Sequence, residues 1–330
     1  FTMIQLTDYL YEGHTIIRIL HRYSNDLMAD AMKTGNPVDR VHASFLNDLS
    51  DLLEHNDFLT SQSQRIREFY KYMADRYPYL AFTFRGRIKS LMRAEEKFNG
   101  YIVRYIYNYY RASHSFPTGE QISEAVSSFR DLIAYRIVIS MPKCHIQPGQ
   151  DREKIEEGFL YEIANTLPSF MESHGFIPEK QNQKRTPSPL LKDEVVPYYR
   201  DYIFDTKKNG YRSLHISFFD QLSLSYLEVQ LRTKDMDDYA EIGDASHSLY
   251  ENRQQKERAQ RDEIPEGACP FFDEAYQRGM QLQHLDYSKV DVNMFTAIDN
   301  VRMNDGCGFV QGRLILPYEH LSGFQNDVID

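Results

Sequence analysis

The chain has 330 residues, of which 42% are hydrophobic; its formal charge is −10, and it carries 24 Tyr, 20 Phe and no Trp. That apolar share supports an ordinary packed core, and the length exceeds one minimal domain. The acidic balance excludes a global nucleic-acid footprint but leaves room for a local basic groove. No stretch approaches the roughly 20 apolar residues of a membrane span, and no secretory n- and h-region is read at the start. The three cysteines, Cys144, Cys269 and Cys307, are scattered and form no CxxC pair. They are read as reduced thiols of a cytoplasmic protein rather than a zinc site.

Residues 1–60 read as helical. Ile16, Ile17, Ile19, Leu20 and later Phe45, Leu46, Leu49, Leu52 and Leu53 recur at three- and four-residue steps. Gly35-Asn36-Pro37 breaks the run, and Asp39 is the expected cap of the next helix. Further helices are predicted over about 62–75 and 90–111, and 116–119 reads as a loop. The first strand signal is 134–139. Helix returns over 152–174 and ends at Gly175, and the polar stretch 179–197 reads as a loop. Strand signals resume at 200–204, 214–219 and 226–231, and 235–261 is helical. The tail mixes Pro, Gly and short strand-like pieces such as 312–316. The order predicts an α+β fold, with a mixed sheet of about five strands flanked by helices. Its divisions are an N-terminal helical region (1–60), a central domain (61–255) and a C-terminal extension (256–330).

Four places could carry chemistry. Arg87-Ile88-Lys89-Ser90 precedes a predicted helix. Cations there suit a triphosphate, which backbone donors alone do not neutralise, although a solvated basic turn has the same composition. Asp131 precedes the 134–139 strand and Arg136 lies in it. That suits Mg²⁺ held against phosphates, and equally a helix cap or a surface ion pair. In Glu228-Val229-Gln230-Leu231-Arg232-Thr233, alternation puts Glu228, Gln230 and Arg232 on one face and Val229 and Leu231 on the other. The carboxylate could take a hydroxyl proton or join Asp131 on a metal, or the face could simply meet solvent. Tyr211 follows the turn pair Asn209-Gly210, as a platform for a base or as hairpin packing. His215 falls on its face, in a catalytic or a structural role.

In chain order these become Arg-x-Lys-Ser at 87–90, Asp-x4-Arg at 131–136 and Asp-Tyr-Ile-x3-Lys-x-Asn-Gly-Tyr-Arg-Ser-Leu-His at 201–215. Glu-x-Gln-x-Arg-Thr-x2-Met follows at 228–236, with Ala240-Glu241-x-Gly243 and His247 after it. The set resembles the RelA/SpoT-homologue synthetase domain over about residues 60–255. The resemblance implies a nucleotidyltransferase-like sheet and Mg²⁺-dependent transfer of pyrophosphate from ATP to the 3′-hydroxyl of GDP or GTP, making (p)ppGpp. It implies that Asp131 and Glu228 are the catalytic, metal-holding acids. Arg87, Lys89, Ser90, Arg136 and Arg232 would bind ATP, with Arg87 and Arg136 sandwiching the adenine. Lys207, Tyr211, His215 and Asp237 would face the acceptor, Tyr211 stacking on its base. The residue types suit such a transfer, which needs positioning and charge neutralisation more than covalent chemistry.

Three positions depart from the family pattern: Thr206 replaces Pro, Ala134 replaces Gly, and Asp237 stands where small synthetases often have Asn. An Asp accepts but does not donate as an amide does, so the acceptor base stays open. With no His-Asp metal motif in residues 1–60, a synthetase-only member is expected. Toxic members of this kind make adenosine alarmones or pyrophosphorylate the tRNA 3′ end, so tRNA, an antitoxin or a second copy are candidate partners. Arg65, Arg67, Lys71, Arg76, Arg85, Arg253, Lys256, Arg258 and Arg261 are the cations available to RNA. Solvated helix faces are the favoured reading of them. A non-catalytic nucleotide-binding regulatory module is the alternative from another class; the presence of both Asp131 and Glu228 argues against it.

Overall fold

The computed structural model describes residues 3–10, 16–54, 57–88, 91–127, 129, 133–182, 186–206, 209–242, 264–283, 308–310 and 313–315. Two compact units emerge, each discontinuous in sequence. One comprises Phe1–Asn56, Lys89–Phe129 and Arg253–Leu314, and the other Asp57–Ile88, Arg130–Asn252 and Ile315–Asp330. Among the described residues no helix is long and apolar enough to cross a membrane.

The first unit is helical. Helix α1 (Ile16–Thr34) closes on Gly35, whose φ of 72° is the left-handed conformation that suits a residue without Cβ. Helix α2 (Pro37–Glu54) follows. Its cap is Asn36, whose Oδ1 accepts from Val38 N (2.9 Å) and Asp39 N (3.2 Å), with Pro37 in the first turn where no amide hydrogen is needed. Asp39, the expected cap, is instead buried against Arg278 (2.5 Å).

Helices α4 (Leu91–Ser113) and α5 (Gly119–Ser127) complete the unit's middle segment. The loop expected at 116–119 is in part a capping box: Thr118 Oγ1 accepts from Gln121 N (3.3 Å), and Gln121 Oε1 accepts from Thr118 N (2.9 Å). Helix α8 (Pro270–Gln283) brings Phe272 and Ala275 to a core with Val38, Phe98, Ile102 and Ile106. Phe45 stacks on Phe98 at 4.1 Å. Within this core Glu95 accepts from Tyr23 (2.5 Å) and faces His42 (2.6 Å), so the buried carboxylate is satisfied.

The second unit is a mixed sheet with helices. It contains helix α3 (Asp57–Arg76), β1 (Ala81–Ile88), β2 (Ile133–Ser140) and α6 (Arg152–Ser173), then β3 (Phe176–Pro178), β4 (Tyr199–Asp201), β5 (Leu214–Asp220), β6 (Ser225–Thr233) and α7 (Lys234–Ile242). Its strand order is β3-β5-β6-β2-β1, with β4 also on β5. The β2–β6 pair is parallel, and β1–β2, β3–β5, β4–β5 and β5–β6 are antiparallel. Strand β2 is buried along its whole length, as a central strand must be. Two further short strands lie at Gly308–Val310 and Arg313–Ile315.

Two sequence expectations change here. The sheet begins at Ala81, not near 134: Phe82, Thr83 and Phe84 are buried, and Arg87 sits in β1 opposite Ala134 rather than in a turn. The strand expected over 200–204 stops at Asp201, because its Oδ1 captures Ile203 N (2.9 Å) and Phe204 N (3.0 Å) and bends the chain. The same carboxylate accepts from Tyr161 (3.0 Å) and from Ser188 N (3.1 Å), which anchors the polar loop before it.

The β5–β6 turn is fixed by a buried acid. Asp220 takes both guanidinium nitrogens of Arg65 (2.8 and 2.7 Å) and bonds to Gln62 (3.1 Å) and Ser223 (2.5 Å). Arg65 also lies 4.1 Å from the Phe176 ring centre. It was among the cations available to RNA; with its side chain 12% exposed and paired, it serves the fold instead.

Candidate functional site

The register lines up polar residues across the sheet. Arg200 on β4 pairs with His215 on β5, His215 with Gln230 on β6, and Gln230 with Arg136 on β2. The alternation read from the sequence holds on β6: Gln230 Nε2 donates to Glu228 Oε1 (2.6 Å), and Arg232 Nη2 donates to Gln230 Oε1 (3.0 Å).

From Glu228 the contacts run on without a break. Arg200 Nη2 donates to Glu228 Oε2 (2.6 Å), and His215 Nδ1 lies 3.3 Å from the same oxygen. His215 Nε2 is 2.9 Å from the Tyr211 hydroxyl, which also accepts from Arg232 Nη2 (2.6 Å). Arg232 Nη1 and Arg136 Nη1 both reach Asp237 Oδ1, at 2.9 and 3.0 Å.

Burial decides the charge states. It lowers the His215 pKa against the pull of Glu228, which leaves the ring neutral at pH 7. For Glu228 burial alone would raise the pKa. A hydrogen bond from His215, the Arg200 guanidinium and the Gln230 amide overcome it and hold the carboxyl below its usual range. An ionised Glu228 requires the hydrogen of His215 on Nδ1. Nε2 then accepts from Tyr211, whose oxygen accepts from Arg232, so the His215, Tyr211 and Arg232 Nη2 hydrogens along this path each have an acceptor.

The structure thus brings together Glu228, Arg136, Arg232, Tyr211, His215 and Asp237 of the residues singled out in the sequence. Tyr211, read as a base platform, is buried. Its ring meets the edges of His215 and Tyr202, with Arg232 5.1 Å from its centre. The Arg87 side chain and residues Lys89, Ser90, Asp131 and Lys207 lie outside the described residues, as do Arg253, Lys256, Arg258 and Arg261. Sequence reasoning missed Arg200 and Tyr202. Arg200 lies opposite His215 by register, and the Tyr202 ring, just past the strand end, meets the His215 ring at 5.0 Å.

The turn before Tyr211 has little tolerance. Gly210 has φ 75°, and a Cβ there would sit 2.7 Å from the Tyr239 hydroxyl, which donates to Asn209 O (2.9 Å). Gly210→Ala is expected to cost about 1–2 kcal/mol for the left-handed backbone alone and to displace Tyr239. Thermal unfolding should show the loss.

The family described as "Region found in RelA / SpoT proteins" matches residues 86–255, just over half of the chain. GTP pyrophosphokinase rsh of Brucella ovis is 44% identical over 55 residues, which is 17% of this chain and 7% of that protein. The probable GTP diphosphokinase CRSH, chloroplastic, of Arabidopsis thaliana is 52% identical over 61 residues, 17% of this chain and 10% of that protein. The chain therefore spans no more than a tenth of either relative. A solved structure of the small alarmone synthetase 1 from Bacillus subtilis, bound to its product pppGpp, is 19% identical. It covers 69% of this chain and 92% of its own, with a TM-score of 0.29.

Proposed function

We propose that this chain, which belongs to the RelA/SpoT family, transfers a pyrophosphoryl group from ATP to the 3′-hydroxyl of GDP or GTP at the polar face of its mixed sheet. The 3′-oxygen bonds to the β-phosphorus and the bond from that phosphorus to the α–β bridging oxygen breaks. AMP leaves, and the hydroxyl proton passes to a base or to solvent.

The carrying observation is the ordered face itself, with the guanidinium groups of Arg200, Arg232 and Arg136 fixed by contacts to two carboxylates, Glu228 on β6 and Asp237 on α7. Arg136 and Arg232 are the described cations for the phosphates. The depressed pKa of Glu228 makes it a weak base at pH 7, which favours its charge over proton abstraction as its contribution. His215, neutral and hydrogen-bonded to Glu228, keeps that carboxylate oriented. Glu228 and Asp131 would hold Mg²⁺. The donor chemistry fits, since Mg²⁺ takes one or two carboxylates together with phosphate oxygens. When bound, the ion would neutralise charge on the transferred phosphates.

The test is incubation with Mg²⁺ and ATP labelled on its β-phosphate, against GDP, GTP, AMP, ADP and deacylated tRNA in parallel. Label on GDP or GTP is the expected result. Label on adenosine nucleotides alone, or on tRNA alone with a steep loss as salt rises, moves the reading to those acceptors. Nucleotide binding with no transfer to any of them rejects it in favour of a regulatory module.

A further inference from the structure

We propose that Asp237 is an internal anion that occupies the Arg136–Arg232 pair and must be displaced by the phosphates of an incoming nucleotide. The inference rests on reading this face as the nucleotide site. Arg136 and Arg232 come from neighbouring strands, two positions apart in register, and converge on a single oxygen, Asp237 Oδ1, at 3.0 and 2.9 Å. Both arginines are buried, and the Asp237 side chain is 11% exposed. A carboxylate so placed makes the contact that a phosphate oxygen would make with two guanidinium groups.

Arg232 does not depend on Asp237 for its direction. Its Nη2 also donates to the Tyr211 hydroxyl (2.6 Å) and to Gln230 Oε1 (3.0 Å). When the carboxylate leaves, that guanidinium stays aimed. Asp237 by contrast stands on the first turn of α7, which joins β6 directly at Thr233. Thr233 Oγ1 accepts from Met236 N (3.3 Å). The same helix carries Tyr239, whose hydroxyl donates to Asn209 O in the turn before Tyr211. Displacing Asp237 therefore releases a tie between α7 and the sheet, and the movement reaches the Asn209-Gly210 turn.

A site held by its own carboxylate binds an external anion with an apparent affinity reduced by the fraction of time it is vacant. Asp237→Asn keeps the shape and removes the charge. Calorimetric titration with inorganic triphosphate should show the folded variant binding on the order of tenfold more tightly than the wild type. A residue serving stability alone gives no such gain. Equal or weaker binding by a variant with native circular dichroism overturns the proposal. Should Asp237→Asn fail to fold, amide hydrogen exchange on the wild-type protein decides. Faster exchange in Lys234–Ile242 at saturating triphosphate supports displacement, and unchanged or slower exchange overturns it. Label transfer by a protein whose Asp237→Asn variant gains nothing rejects only this inference. A gain in triphosphate binding without label transfer to any acceptor rejects the proposed reaction and leaves an anion site.

Discussion

Glu228→Gln is expected to lower the turnover of the proposed pyrophosphoryl transfer by about a hundred- to ten-thousandfold, the range for a positioned proton-transfer or charge-stabilising group. ATP affinity changes little. The amide has nearly the shape of the carboxylate but loses the charge that Arg200 and His215 share, at 2.6 and 3.3 Å. A group that acts on the transition state lowers kcat and kcat/KM together, whereas one that only holds substrate raises KM. Steady-state rates with labelled ATP separate the two. An unchanged rate removes Glu228 from the mechanism, and a pure KM effect makes it a binding residue.

Arg65→Met destabilises the sheet unit by about 3–5 kcal/mol, because it leaves the Asp220 carboxylate buried and without its cation. The pH dependence weakens with it. In the wild type burial would raise the Asp220 pKa, but Arg65, Ser223, the Leu222 amide and Gln62 outweigh it and hold the pKa below the ordinary value. That contribution is present above the unfolded pKa, about 3.9, and is lost as the pH falls through the folded value. Without Arg65 the first of those lowering contacts is gone, so less acid-labile stability is left to lose and the deficit of the variant narrows on acidification. Urea unfolding at pH 7 and at pH values below that unfolded pKa reads both effects. A loss below about 1 kcal/mol, the level of an exposed pair, contradicts the structural role assigned to this cluster.

What could be read from the sequence was local. The period of two in Glu228-Val229-Gln230-Leu231-Arg232 gave the polar face, and Asn209-Gly210 gave a turn with positive φ, which Gly210 has. What escaped was pairing between distant segments. Strand β1 carries Arg85, Gly86 and Arg87 in its second half, a composition that reads as a basic turn until the partner β2 is known. Arg200 becomes a partner of Glu228 only through the β4–β5 register. Asp237 is expected from the family resemblance to face the acceptor, and nothing near it in sequence shows that Arg136, about a hundred positions earlier, shares its oxygen. The α5 helix is a different case. Its capping box, Thr118 with Gln121, is legible in the sequence and overlaps the loop signal of 116–119.

The most direct measurement is the fate of ATP in single turnover with excess GDP or GTP, followed by phosphorus NMR and nucleotide chromatography. Pyrophosphoryl transfer predicts one AMP released for each acceptor that gains a diphosphate at its 3′-oxygen. ADP as the product, or AMP with free pyrophosphate and an unmodified acceptor, would contradict it.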